Sequence, residues 1–163
     1  MMSFSFQSKF GLFLLSLIQH YNHKKYWKRR AIVVNPFNKT NVLLKLYYLY
    51  YIKRIDAYHN CSFGTNLNLG ASFTSPPHLP HDPNGIIVGH DVCIGIECTI
   101  FQQVTICHGS VKIADNVILG AGAKVLPNVS IGNNVKVGAN CVVVEDISDG
   151  VTVVLPKPRI ILI

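Results

Sequence analysis

The chain is 163 residues long, 49% hydrophobic and only 14% charged, which suits one domain with a small appendage and excludes a disordered polymer. Its formal net charge of +7 is lopsided: residues 1–60 hold ten Lys or Arg and one acid, Asp56, whereas the remainder holds five against seven acids. Five cysteines without a CxxC pair argue against a disulfide framework or a zinc finger and point to a reducing compartment, the cytoplasm.

At the N-terminus, FGLFLLSLI (10–18) is too short to span a bilayer and lacks a small-residue cleavage site. HKKYWKRR (23–30) follows it. An apolar stretch followed by a basic one can rest on a membrane surface or meet a polysaccharide-synthesis complex. No nucleic-acid motif accompanies the cations, so no nucleic-acid partner is expected. Residues 8–58 read as helical, with a break at Pro36 and with Thr40 or Asn41 capping the second helix. The aromatics of LYYLYY (46–51) read as packing residues. Residues 59–84 are rich in Asn, Ser, Gly and Pro and read as loop.

From Val88 the period becomes six. The rows are VGHDVC, IGIECT, IFQQVT and ICHGSV, then, after Lys112, IADNVI, LGAGAK, VLPNVS, IGNNVK, VGANCV and VVEDIS. All ten first residues are Ile, Leu or Val. The fifth residues are small or aliphatic, Ser110, Cys98 and Cys141 among them. A fixed short repeat specifies an architecture: one short strand and one turn per row, three rows per triangular coil, with first and fifth positions facing inward. The inward cysteines then act as small hydrophobes. Gly89, Gly95, Gly120, Gly132 and Gly138, at second positions, are expected where the backbone turns tightly. Asn116, Asn128, Asn134 and Asn140, at fourth positions, are expected where left-handed geometry is needed.

These rows resemble the hexapeptide-repeat acyltransferases, whose fold is a left-handed parallel β-helix. The stretch 120–147 is similar to the C-terminal part of serine acetyltransferases, and LPHDPNGIIVGHDVCIG with IFQQVTI resembles the segment holding their catalytic histidine. RIDAYHNCSFGTNLNLGASF (54–73) looks like the region upstream in serine-acetyltransferase-like proteins, including those of polysaccharide gene clusters. The resemblance covers roughly residues 54–155. It implies a mainly β fold with a helical segment over 1–60, a β-helix domain over 61–155 and a tail over 156–163. It also implies a homotrimer, acetyl-CoA as co-substrate, and transfer of acetyl to a hydroxyl of serine or of a sugar in a surface polysaccharide precursor. The N-terminal helices are expected to cap the first coil.

Such a transfer needs a base, and imidazole is largely free base at neutral pH. By the resemblance, His81 is the base, although it stands four residues before Gly85 where many relatives have their histidine three before, the place Asp82 occupies here. The family's ring-orienting aspartate counts back to near Asn66; Asp56 and Asp82 are the acids available. His108 sits where one row stretches to seven residues, and with His78 and Asp82 it is expected near the acceptor. His90 is expected to be inert. Ala121 and Ala139 match positions whose backbone N–H groups meet pantetheine, and Lys124, Lys157 and Arg159 are candidate phosphate contacts. No metal is expected. A metal-dependent hydratase on the same fold would need His78, His81 and His108 to converge, and a non-catalytic scaffold would need none of these residues.

Overall fold

The computed structural model describes residues 20–157, 159 and 161; the apolar stretch 10–18 lies outside them. Helix α1 (His23–Val34) begins at Asn22, whose side chain accepts the Lys25 N–H, and stops at Asn35, which is extended as a residue before proline prefers. Helix α2 (Val42–Tyr58) is capped by Asn41, not Thr40, through the Leu43 N–H.

The rest is a parallel β-helix of two-residue strands, the left-handed class that hexapeptide rows specify. Its first face stacks β1 (Ser62–Phe63), β5 (Ile87–Val88), β8 (Thr105–Ile106), β11 (Lys124–Val125) and β14 (Val142–Val143). The second stacks β4 (Ser72–Phe73), β6 (Cys93–Ile94), β9 (Lys112–Ile113) and β12 (Ser130–Ile131). The third stacks β7 (Thr99–Ile100), β10 (Ile118–Leu119), β13 (Lys136–Val137) and β15 (Thr152–Val153).

All ten first-position residues are buried, none more than 4% exposed. Each meets an aliphatic of a neighbouring coil, as in the pairs Val88↔Ile106 and Val125↔Val143, and contributes about 1.5–3 kcal/mol of transfer free energy. Four expectations need correction. The segment 59–84 is not simply loop: β1 and β4 pair in parallel with β5 and β6, and β2 (Thr65–Asn66) and β3 (Leu69–Gly70) form an antiparallel hairpin between them. That hairpin breaks the six-residue period and hides the first coil from a periodicity search. Second, Ser110 is exposed and Val111 is buried in its place, so the extra residue sits in the turn 107–110 and not at Lys112.

Third, the second-position glycines serve close stacking: a Cβ on Gly120 would lie 2.7 Å from the Ala139 nitrogen, and one on Gly89 2.8 Å from the His108 Cα. The left-handed positions are the fourth ones, with φ of 57° to 61° at Asn116, Asn128, Asn134 and Asn140. Fourth, α2 packs only part of LYYLYY: Tyr48, Leu49 and Tyr51 lean on the core, while Tyr47 and Tyr50 are exposed.

The helices do cap the first coil. Trp27 stacks edge-on against Phe63 and Phe73, with centroids 5.1 and 4.8 Å apart. Buried Arg30 donates to the Phe63 and Ala71 carbonyls at 2.8 and 2.7 Å and to the Thr65 hydroxyl at 3.0 Å. The open end of a β-helix exposes unpaired carbonyls, and this guanidinium satisfies two of them.

Candidate active site

The turns between faces stack into three columns. One column contains the turns 82–85, 101–103, 120–122 and 138–140. Gln103 N–H donates to the Asn84 carbonyl at 2.9 Å, Gly122 to Gln102 at 3.0 Å, and Asn140 to Ala121 at 2.8 Å. His81 stands at the first end of this column, its exposed ring tilted against Phe101 with centroids 5.9 Å apart. Ala121 is half-buried and Ala139 exposed one coil beyond. So the candidate base and the two alanines, 58 positions apart at their extremes, share one edge of the prism. Lys124, just past this edge, reaches the Gly122 carbonyl and the Thr105 hydroxyl, both at 3.5 Å. Lys157 and Arg159 are exposed near the C-terminus.

Among the described residues, none of the expected orienting partners Asp56, Asn66 and Asp82 hydrogen-bonds to the His81 ring. Asp56 is buried and accepts the Tyr26 O–H at 2.6 Å; burial lifts its carboxyl to about 6, against the pull of that hydrogen bond and of Lys53 and Arg30. It makes no hydrogen bond to His81. Nor does Asn66, which pairs with Leu69 in the hairpin beside α1. Asp82 adopts φ 53°, and its charge is felt at Tyr21 and His23. What holds the turn is a chain unseen in the sequence. Asn84 donates from Nδ2 to the His81 carbonyl at 2.9 Å, and its Oδ1 lies 2.9 Å from His59 Nδ1. Because Oδ1 can only accept, His59 supplies the proton at Nδ1. His59, at the end of α2, also accepts the Gly85 N–H on its carbonyl at 3.0 Å. The 25-residue separation of His59 and Asn84 left no local signal.

His78 extends the third face, bridging Thr99. It depresses the basicity of His23, already lowered by burial. His108 lies in the next column, in the lengthened turn 107–110. Its ring is 4.6 Å from that of His90, and its Nδ1 is 3.5 Å from Asp91 Oδ1. Asp91 Oδ2 accepts the Gly109 and Ser110 N–H groups at 2.8 and 3.1 Å, which holds its carboxyl below the usual range. His90, Asp91 and His108 are the one group of three possible metal ligands among the described residues, all exposed; His78, His81 and His108 do not converge within one chain. A groove of about 530 Å³ follows the second face past Cys93, Lys112, Ser130 and Asp146, without His81 or Ala121.

The residues 110–144 match the bacterial transferase hexapeptide (six repeats) family. Among curated proteins, the chain is 41% identical over 99 residues to a probable serine acetyltransferase 4 of Oryza sativa subsp. japonica, covering 56% of this chain and 31% of that one. It is 37% identical over 106 residues to a serine acetyltransferase of Synechococcus elongatus, covering 60% and 43%. A solved serine acetyltransferase in complex with CoA superposes with a TM-score of 0.61 at 26% identity, over 79% of this chain and 51% of that one. The chain is similar to serine acetyltransferases and carries the hexapeptide repeat over residues 110–144. It spans less than half the length of the curated relatives it matches. Among the described residues no helix is long and apolar enough to cross a membrane.

Proposed function

We propose that this chain is an acetyl-CoA-dependent O-acetyltransferase with His81 as general base. The observation that carries this reading is the shared column of His81, Phe101, Ala121 and Ala139. Acetyl-CoA, as substrate, lies along the column, its pantetheine amides on the Ala121 and Ala139 turns and its thioester at His81. Lys124, Lys157 and Arg159 supply positive charge for its phosphates. His81 takes the acceptor's hydroxyl proton as the oxygen attacks the thioester carbon. The C–O bond forms, the C–S bond breaks, and the proton passes from the imidazole to the departing thiolate. Positioned general-base catalysis of this kind contributes about 10²–10⁴-fold.

In a homotrimer, as the resemblance implies, a neighbouring copy walls the column and excludes water. His108, a column away from His81, serves the acceptor of such a neighbouring site. The acceptor favoured by the similarity is L-serine. The brevity of the turn 107–110, tied down by Asp91, favours a second reading, a bulkier sugar hydroxyl of a polysaccharide precursor. Free-thiol release from acetyl-CoA, with L-serine and with a panel of sugars, tests both. Serine-dependent turnover that falls at least 100-fold in His81→Ala supports the first reading, and turnover with sugars alone supports the second. No thiol release with any acceptor, and no CoA binding, overturns acetyl transfer.

A further inference from the structure

Helix α2 is inverted relative to an ordinary surface helix. Its inner side buries Lys45 and Asp56 beside Ile52 and Ile55, and Lys45 is satisfied there by the Asn35 carbonyl at 3.0 Å and by Asn68 Oδ1 at 2.8 Å. Its outer side carries Leu43, Tyr47 and Tyr50, which are 72, 55 and 65% exposed, followed by Arg54. The spacing of four, three and four residues puts them on one stripe. Leu44 and Leu46 widen it, and Phe37, in the connection to α1, is 89% exposed. A contiguous apolar surface of this kind marks a partner.

The charges around the stripe select the partner. Lys24, Lys25 and Lys28 of α1, Lys39 of the connection, and Lys53 and Arg54 of α2 are all exposed. Arg29 lies 5.6 Å from the ring of exposed Tyr47, and Arg29 and Lys25 also meet half-buried Tyr51 at 4.1 and 5.4 Å, so cations of α1 reach the edge of the stripe. Asp56, the one acid between residues 20 and 60, is spent inside against Tyr26. The exposed charges within residues 20–60 are therefore all positive. A second copy of the same face would bring two cationic rims together. A surface apolar within and anionic above meets both requirements, and tyrosine's amphipathic ring suits the boundary between them.

We propose that the outer face of α2, with Phe37 and the bordering cations, docks the protein on an anionic lipid bilayer, the helix lying in the interfacial plane. This rests on the helical layer alone and stands whether or not the β-helix transfers acetyl groups.

The experiment is co-sedimentation of the full chain with vesicles of phosphatidylcholine, with and without 30% phosphatidylserine. The variants are Leu43→Ser with Tyr50→Ser, and Lys53→Glu with Arg54→Glu, each confirmed folded by circular dichroism. The wild type should bind the anionic vesicles and release in salt. Removing cations near a charged surface costs about fivefold in partitioning each, so the charge-reversed variant should bind about 25-fold more weakly or worse, and the apolar double variant should lose retention as well. Wild type that ignores anionic vesicles overturns the proposal. So does binding that both variants keep, which would assign it to another part of the chain. Light scattering that shows self-association lost in the variants, without lipid binding, would assign the face to a second copy instead.

Discussion

Replacing Asp56 by Asn should stabilise the protein at neutral pH and leave its chemistry intact. Asp56 is 4% exposed, and burial moves its carboxyl from 3.8 to about 6. Each pKa unit is 1.36 kcal/mol, so ionised Asp56 carries a penalty of roughly 3 kcal/mol in the folded state above pH 6. The folded pKa lies above the unfolded one. The folded state therefore holds the extra proton between about pH 4 and pH 6, and stability falls as pH rises through that window. Asn removes the charge and keeps a carbonyl to accept the Tyr26 O–H. For a chain of this size the gain corresponds to about 6–12 °C in Tm at pH 7.5, and it should shrink below about 1 kcal/mol at pH 4. Thermal melts of wild type and variant across that range measure it. A variant no more stable at pH 7.5, or a difference indifferent to pH, refutes the burial of an ionisable carboxyl against Tyr26. Acetyl-transfer assays on the same variant add a second check. Because Asp56 makes no hydrogen bond to His81, turnover should stay within a few-fold of wild type. A hundredfold loss would restore Asp56 as the orienting carboxylate.

Two further substitutions probe the column and the turns. Gly120→Ala drives a Cβ to 2.7 and 2.8 Å from the Ala139 nitrogen and the Val137 carbonyl oxygen, and should cost about 1–3 kcal/mol in urea unfolding. If pantetheine meets the Ala139 turn, KM for acetyl-CoA should also rise more than kcat falls. Asn128, at φ 61°, should lose about 1 kcal/mol or more on substitution by Ala and clearly less by Gly, which adopts that geometry freely; chemical denaturation of the pair reads the difference directly.

The repeat was legible because each row solves the same local problem. Ile106 and Val125 are aliphatic because every coil needs an inward residue there, and the pattern repeats often enough to be seen from one chain. The asparagines of the fourth positions were legible for the same reason, since left-handed backbone restricts residue type at each turn separately. The first coil was not legible, because the hairpin 65–70 interrupts its period and only the parallel pairing of Ser62 with Ile87 and of Ser72 with Cys93 recovers it. The row register at Ser110 was misplaced by one residue, since either Ser110 or Val111 can be written into a stretched row until burial chooses.

His81 is singled out by resemblance and position, but its surroundings were not legible. Asp56 looked available as a carboxylate in the linear chain, yet α1 brings Tyr26 onto it from 30 residues away. Asn84 and His59 looked like loop residues, yet they hold the His81 turn. Local constraints that repeat, such as inward aliphatics and left-handed turns, are written into single rows and can be read there. Which polar groups meet depends on how α1, α2 and the first coil close on one another, at separations of 25 residues or more, where nothing local restricts the residue type. The sequence by itself determined a stacked β-helix with an apolar axis and a basic helical end. Only the tertiary structure decided that His81 and the two alanines share an edge, that Asp56 is turned inward, and that the tyrosines and leucines of α2 face out.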